Sequence, residues 1–236
     1  MKISAIIVAA GRGLRFLKQK KSSGKQSRVL KQFVLLKGIP VFIRSLKPFE
    51  NCSLIDEIVF VAPKGKKDYC KKIILKNGFK KISKIVEGGD RRQDSVLNGL
   101  MSIESKSSDI VLVHDGARPF VEEVLIKNCI AAVKKYGAAV VGMPMTDTIK
   151  QVQKGFVTKT LDRNVLYSVQ TPQGFRYGIF LKAYKLANKY RIFASDDTYI
   201  VEKSGVSVKI VEGSAGNIKI TTPMDLLNAE NMLGKK

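Results

Sequence analysis

The chain has 236 residues, 44% of them hydrophobic and 26% charged, the make-up of a globular protein that can bury a core without disulfide or metal staples. No apolar run approaches ~18 residues, which excludes a helical membrane span, and the opening MKISAIIVAAGRG carries an apolar stretch too short for a secretion signal. Forty-two Lys and Arg against twenty Asp and Glu give a net charge of +22, and the single histidine, His114, excludes a histidine-rich metal site.

In chain order, residues 3–10 (ISAIIVAA) form a continuous apolar run, the pattern of a parallel strand buried on both faces. A glycine turn follows, and residues 11–31 then carry Arg12, Arg15, Lys18, Lys20, Lys21, Lys25, Arg28 and Lys31 without one acid. Such a block suits a polyanionic partner. Within it, 17–28 is too rich in Lys, Ser, Gly and Gln to offset its chain entropy, so it is expected to be mobile without ligand. Helices are expected from Pro40, over 66–77, over 91–104 and over 119–136, with strands at 55–63, 81–89, 110–117 and 138–144 between them. Residues 145–175 break the alternation and read as a β-hairpin arm turning at Gln153-Lys154-Gly155. A helix at 197–204, a strand at 206–213 and a last helix opening at Thr222-Pro223-Met224-Asp225 complete the pattern. Alternating βαβ units imply one three-layer α/β domain over 1–236 with a mostly parallel sheet, whose ligands bind beyond the C-terminal ends of the strands. The arm is expected to pack on a second subunit. Cys52, Cys70 and Cys129 lack CxxC spacing and read as buried reduced thiols of a cytoplasmic protein.

The turn after the first strand, Gly11-Arg12-Gly13-Leu14-Arg15-Phe16, begins like GxGxxG, but Phe16 replaces the third glycine. No isolated acid ends a second strand ~20 residues on, so a nicotinamide dinucleotide site is excluded, and no GK[ST] makes it a Walker loop. What remains is a turn whose amides can face phosphates, continued by cations, which points to a triphosphate. The basic block lacks aromatic interleaving, and no RRM, KH or OB pattern is present, so nucleic acid is a remote alternative. His114 reads as a satisfied strand-end side chain, Arg92 as a solvated helix-start residue, and Ser195, Asp196 and Asp197 as either helix caps or site residues.

AAGRGLR followed by LKQF resembles the opening of sugar-phosphate nucleotidyltransferases. GGDRRQDSVLNGL, HDGARPFV, DTIK, LDRNVLYSVQTPQGF, SDDTYIVE and NIKITTPMDL follow in the order seen in the 2-C-methyl-D-erythritol 4-phosphate cytidylyltransferase family, over essentially the whole chain. The resemblance implies a Rossmann-like nucleotidyltransferase fold and transfer of CMP from CTP to 2-C-methyl-D-erythritol 4-phosphate. Ribitol-5-phosphate cytidylyltransferases share most of these blocks, so ribitol 5-phosphate is the alternative acceptor. By motif, Arg15 and Lys31 would bind the triphosphate, with Gly11 and Gly13 in the turn, and Lys219 would contact nucleotide and acceptor. Ala9, Ala10, Gly88, Gly89, Asp90 and Ser95 would hold cytosine and ribose, and Asp115 would lie near ribose and acceptor hydroxyls. Arg163 and Thr148 would reach across a homodimer to the acceptor phosphate, with Arg118 and Thr171 in the same group. Mg²⁺ would arrive with CTP, held mainly by phosphate oxygens. Three departures stand out: Arg15 and Lys31 are sixteen residues apart, farther than the family's usual spacing; Leu30 replaces a proline; and Gly216 replaces an acid before NIK.

Overall fold

The computed structural model describes residues 1–11, 30–103 and 109–234. Gly13, Arg15 and the stretch 17–28 lie outside the described residues. After β1 (Ile3–Val8) come two short strands, β2 (Leu35–Leu36) and β3 (Ile39–Pro40), then α1 (Val41–Asn51) and β4 (Glu57–Ala62). The series continues through α2 (Lys67–Lys76), β5 (Ile82–Glu87), α3 (Arg92–Ser102), β6 (Ile110–Asp115), α4 (Glu123–Tyr136) and β7 (Ala138–Pro144). It ends with β8 (Ile149–Gln153), β9 (Phe156–Leu161), β10 (Tyr167–Arg176), α5 (Tyr177–Lys189), α6 (Asp197–Lys203), β11 (Lys209–Glu212) and α7 (Pro223–Gly234).

Seven strands form the central sheet in the order β11-β7-β10-β6-β1-β4-β5. Only the pairs made by β10, with β6 and β7, are antiparallel. The inner strands are apolar throughout because both faces are covered. Ile3, Ala5 and Ile7 of β1 join Phe60 of β4 and Leu112 of β6 in one core, under Phe42, Leu46 and Phe49 of α1, Ile74 of α2 and Ile126 and Ile130 of α4. Ile6, Val59, Val61, Val111 and Val113 face the other way, against Val96 and Leu100 of α3, Phe180 and Tyr184 of α5 and Val201 of α6. This period-two division between two helix layers is the three-layer α/β architecture that the alternation implies. The three cysteines are buried and unpaired.

Two expectations need correcting. The helix expected from Pro119 begins at Glu123, because residues 116–122 make a turn in which the Arg118 amide donates to the Asp115 carbonyl at 3.0 Å. The arm expected over 145–175 is shorter. Only β8 and β9 form the hairpin, whose two-residue turn places Lys154 and Gly155 at φ 51° and 86°, the left-handed pair that matches strand twist. The second Val/Thr-rich run, β10, leaves the arm and enters the central sheet between β6 and β7, where six of its ten residues are buried. At the other end, Thr222 and Asp225 form the expected start of α7: the Asp225 amide donates to Thr222 Oγ1 at 3.2 Å, and the Thr222 amide donates to Asp225 Oδ2 at 2.8 Å.

His114, on β6, is fully buried against the Phe49 ring. Its Nε2 lies 3.2 Å from the Arg118 carbonyl and therefore carries the proton, while Nδ1 accepts from the Thr171 hydroxyl at 2.9 Å. Burial pushes its pKa down to about 3 from the usual 6.5. Between those values the unfolded chain binds a proton that the folded chain excludes, so the stability this neutral imidazole contributes is intact above 6.5 and is lost as pH falls towards 3. Urea midpoints should therefore fall from pH 7 to about pH 5.5, a range above that in which most carboxylates titrate. A His114→Gln variant should show a flatter profile; an equally steep one would contradict this origin.

Candidate active site

The C-terminal ends of β1 and β6, with the loop after β5, open on a cavity of about 480 Å³. Ala9, Ala10 and Gly11 line it from the turn after β1, Gly89 and Asp90 from the loop after β5, and Ser95 from the first turns of α3. Gly88 forms the back of this wall. A Cβ there would overlap the Ala10 Cβ and lie 2.7 Å from Ser95 Oγ, so only glycine lets the two loops approach. Ser95 Oγ accepts from the Gly89 amide at 3.1 Å and donates to the Arg91 carbonyl at 3.0 Å, fixing the loop to the helix.

Lys31 reaches the same cavity from a single 3₁₀ turn, Lys31–Phe33, and its Nζ donates to the Ile220 carbonyl at 3.0 Å. The neighbouring Gln32 is buried, and its Nε2 donates to the carbonyls of Ala9 (2.6 Å) and Gly11 (3.0 Å). The glycine turn and the lysine turn are thereby bolted together, although eighteen residues of sequence separate their described parts. Lys219 enters from a loop that Asn217 fastens to β10, through Nδ2 bonds to Gln170 Oε1 (3.1 Å) and the Thr171 carbonyl (2.9 Å).

A second cavity, about 500 Å³, adjoins the first. Arg92, Asp115 and Lys219 line both and form the wall between them. Asp115 ends β6 with 6% of its surface exposed, and each carboxylate oxygen has its own cation. Arg92 Nε donates to Oδ1 at 3.0 Å and Lys219 Nζ to Oδ2 at 2.6 Å. Burial alone would raise the Asp115 pKa, but Arg92, Lys219 and the Lys219 hydrogen bond outweigh it and hold the carboxyl well below 3.8. Arg92 is likewise opposed by burial, yet Asp197 and Asp115 raise its pKa. Arg118, buried beside them, donates from Nη1 to the Asn217 carbonyl at 2.7 Å; burial lowers its pKa, with Asp115 acting against that and Arg92 with it. Thr171 Oγ1 accepts from the Asp115 amide at 3.2 Å.

The structure thus gathers most residues singled out by sequence. Ala9, Ala10, Gly11, Gly89, Asp90, Ser95, Asp115, Lys31 and Lys219 line the first cavity, and Asp115, Arg118, Thr171 and Lys219 line the second. Thr148 and Arg163 line neither. They lie at the exposed arm, where Arg163 Nη1 donates to the Thr146 carbonyl at 2.7 Å. Asp196 caps α6, accepting from the Tyr199 amide at 3.3 Å, while Asp197 turns inward to Arg92. Arg92 corrects the reading as a solvated residue: it pairs with two carboxylates and three quarters of its side chain is covered. Gln32 and Asn217 are further site residues, both buried amides inside the LKQF and NIKI blocks.

The arrangement offers cations and backbone amides to phosphates. Neither His114, with both nitrogens engaged, nor Asp115, with both oxygens engaged, is a ready proton acceptor. The family model described as IspD, 2-C-methyl-D-erythritol 4-phosphate cytidylyltransferase, matches residues 3–235. A protein of that name from Clostridium acetobutylicum is 46% identical over 98% of this chain and 97% of its own length; one from Geobacter metallireducens is 39% identical over 100% and 99%. Among solved structures, the 4-diphosphocytidyl-2C-methyl-D-erythritol synthase of Anaerococcus prevotii superposes with a TM-score of 0.84 at 31% identity, covering 99% of this chain and 98% of that one. The match of sequence, fold and full length places this chain in the IspD cytidylyltransferase family.

Proposed function

We propose that this protein transfers CMP from CTP to 2-C-methyl-D-erythritol 4-phosphate, giving CDP-methylerythritol and pyrophosphate in isoprenoid precursor synthesis. The observation that carries the proposal is the pair of adjoining cavities divided by Lys219, Asp115 and Arg92, one beside the glycine turn and Lys31, the other beside Arg118 and Thr171. CTP would occupy the first, its base against Ala9, Ala10 and the Gly88-Gly89 wall and its phosphates towards Lys31 and Gly11, which Gly13 and Arg15 follow in sequence. The acceptor would occupy the second. An oxygen of the acceptor phosphate attacks the α-phosphorus, and the bond from that phosphorus to the β-phosphate oxygen breaks as pyrophosphate leaves. The attacking phosphate has a second pKa near 6, so at pH 7 it is mostly dianionic and requires no general base. Catalysis then consists of holding two anions together and stabilising charge on the transferred group, work that fixed cations can do.

Mg²⁺ would come as part of the substrate. The described residues contain no cluster of three His, Cys, Asp or Glu, Asp115 has both oxygens engaged, and Asp90 pairs with Lys64 at 3.1 Å. A cage built from protein side chains does not fit this site, whereas triphosphate oxygens and water suit the ion's octahedral habit. No described helix is long and apolar enough to cross a membrane. The three free thiols support a cytoplasmic setting.

The arm supports a homodimer. It exposes Phe156 (77%) and Val157 (60%) on the hairpin and Val165 (73%) in the turn after it, too much apolar surface in one short segment to leave in water, and Thr148 and Arg163 flank the hairpin, lining neither cavity of their own chain. These two residues would complete the acceptor site of a partner.

Pyrophosphate release with Mg²⁺ and CTP should proceed with 2-C-methyl-D-erythritol 4-phosphate, and Lys31→Ala should lower kcat/KM by about 10²–10³-fold. Release only with ribitol 5-phosphate, or with neither acceptor, would overturn the assignment. Mixing inactive Arg163→Ala and Lys31→Ala protomers should restore about a quarter of wild-type activity, since half the dimers then hold one intact site of two. No recovery in subunit-exchanged mixtures would show that Arg163 does not act across subunits.

A further inference from the structure

Arg92 is the first residue of α3 and follows another arginine, yet the two diverge. Arg91 turns outward, donates from Nη2 to Asp94 Oδ1 at 2.6 Å and stacks on the Phe193 ring at 4.4 Å. Arg92 turns inward and is gripped from two sides. Nη1 donates to Asp197 Oδ2 at 2.8 Å, and Nε donates to Asp115 Oδ1 at 3.0 Å. Asp197 is fully buried and fixed in turn: Tyr184 OH donates to its other oxygen at 2.6 Å, and its amide donates to Gln173 Oε1 at 3.0 Å. A continuous polar chain therefore runs from Tyr184 in the core of α5, through Asp197, Arg92 and Asp115, to Lys219 at the wall between the cavities. Every carboxylate in it uses separate oxygens for its two partners, so none can rotate without breaking a bond.

We propose that Arg92 is a positioning residue for the transfer: anchored by Asp197, it holds Asp115 so that Lys219 is presented to the substrate phosphates. This rests on the function proposed above. Electrostatics gives the arrangement a reason. Arg92, Lys219 and Arg118 face Asp115 and Asp197, with His114 neutral beside them, so this cluster carries one net positive charge at the wall, opposite Asp196 and Glu202 across the second cavity. Without Arg92 the group is neutral, and among the described residues Lys219 becomes the only side chain hydrogen-bonded to the Asp115 carboxylate, committed to it and less available to a phosphate. Lysine could not replace Arg92 fully, because a point charge does not span two carboxylates as a planar fork does. Nη2 of Arg92 is buried without a partner among the described residues, so the side chain's hydrogen bonds there are those to the two carboxylates.

The test compares wild type with Arg92→Gln, Arg92→Lys and Asp197→Asn, checking each fold by thermal melting. CTP affinity is measured by calorimetry, and kcat and KM for 2-C-methyl-D-erythritol 4-phosphate by pyrophosphate release. Arg92→Gln should lower kcat/KM for the acceptor about 100-fold while weakening CTP binding, which Lys219 shares with Lys31, by no more than about tenfold. Arg92→Lys should recover most of the loss, and Asp197→Asn, with Arg92 present but unanchored, should cost about tenfold. Should Arg92→Gln fail to fold, the other two variants carry the same comparison. Equal losses in CTP affinity and acceptor kcat/KM, or Lys performing no better than Gln, would overturn the assignment. That outcome would leave wild-type turnover, and with it the proposed function, untouched.

Discussion

The site turns on one carboxylate held between cations. Asp115 stands at the end of β6, buried, with Arg92 on one oxygen and Lys219 on the other. An isolated carboxylate could not remain ionised there, and three cations so close could not remain together without it. Each is therefore the condition for the other. Removing one partner of such a buried pair leaves an uncompensated charge, at a typical cost of about 3–5 kcal/mol. The surrounding architecture supports this contact: β6 lies between β1 and β10, α3 brings Arg92, and the loop fastened by Asn217 brings Lys219.

That arrangement also explains why the protein manages with one histidine. Buried against Phe49 and bonded to Thr171 and the Arg118 carbonyl, His114 is a structural strut of the turn that follows Asp115. Proton transfer is not the difficulty in joining two phosphates; bringing anions together is. The local surplus of positive charge is small compared with +22 for the chain, because basic side chains such as Lys84, Lys135, Arg176 and Lys189 lie away from the cavities, against carbonyls and rings.

Much of this was legible in the sequence because the signals were local. Ile3–Val8, Glu57–Ala62 and Ile110–Asp115 are apolar on both faces, which only a doubly covered strand explains, and Thr222 and Asp225 announce the start of α7. Tyr177, Phe180, Ala183, Tyr184 and Ala187 have equally clear helical spacing in α5, yet that segment follows a run read as a hairpin and its pattern goes unassigned. The arm was overextended for a related reason: Val/Thr-rich strands look alike whether they pair with a neighbour in sequence or, as β10 does, with β6 and β7 in the central sheet. Arg92 escaped because its partners, Asp115 and Asp197, lie 23 and 105 residues away. No local pattern separates it from Arg91, and only tertiary packing turns one inward and the other out.

The central claim is that the glycine-walled cavity holds cytidine while cations on the wall beyond it hold phosphate. A crystal structure of the protein with CTP and Mg²⁺ tests it most directly. The account predicts the pyrimidine against Ala10 and the Gly88-Gly89 wall, with the triphosphate between Lys31 and Lys219 and Asp115 still bonded to Arg92. A nucleotide bound elsewhere, or one whose phosphates point away from both lysines, would contradict it.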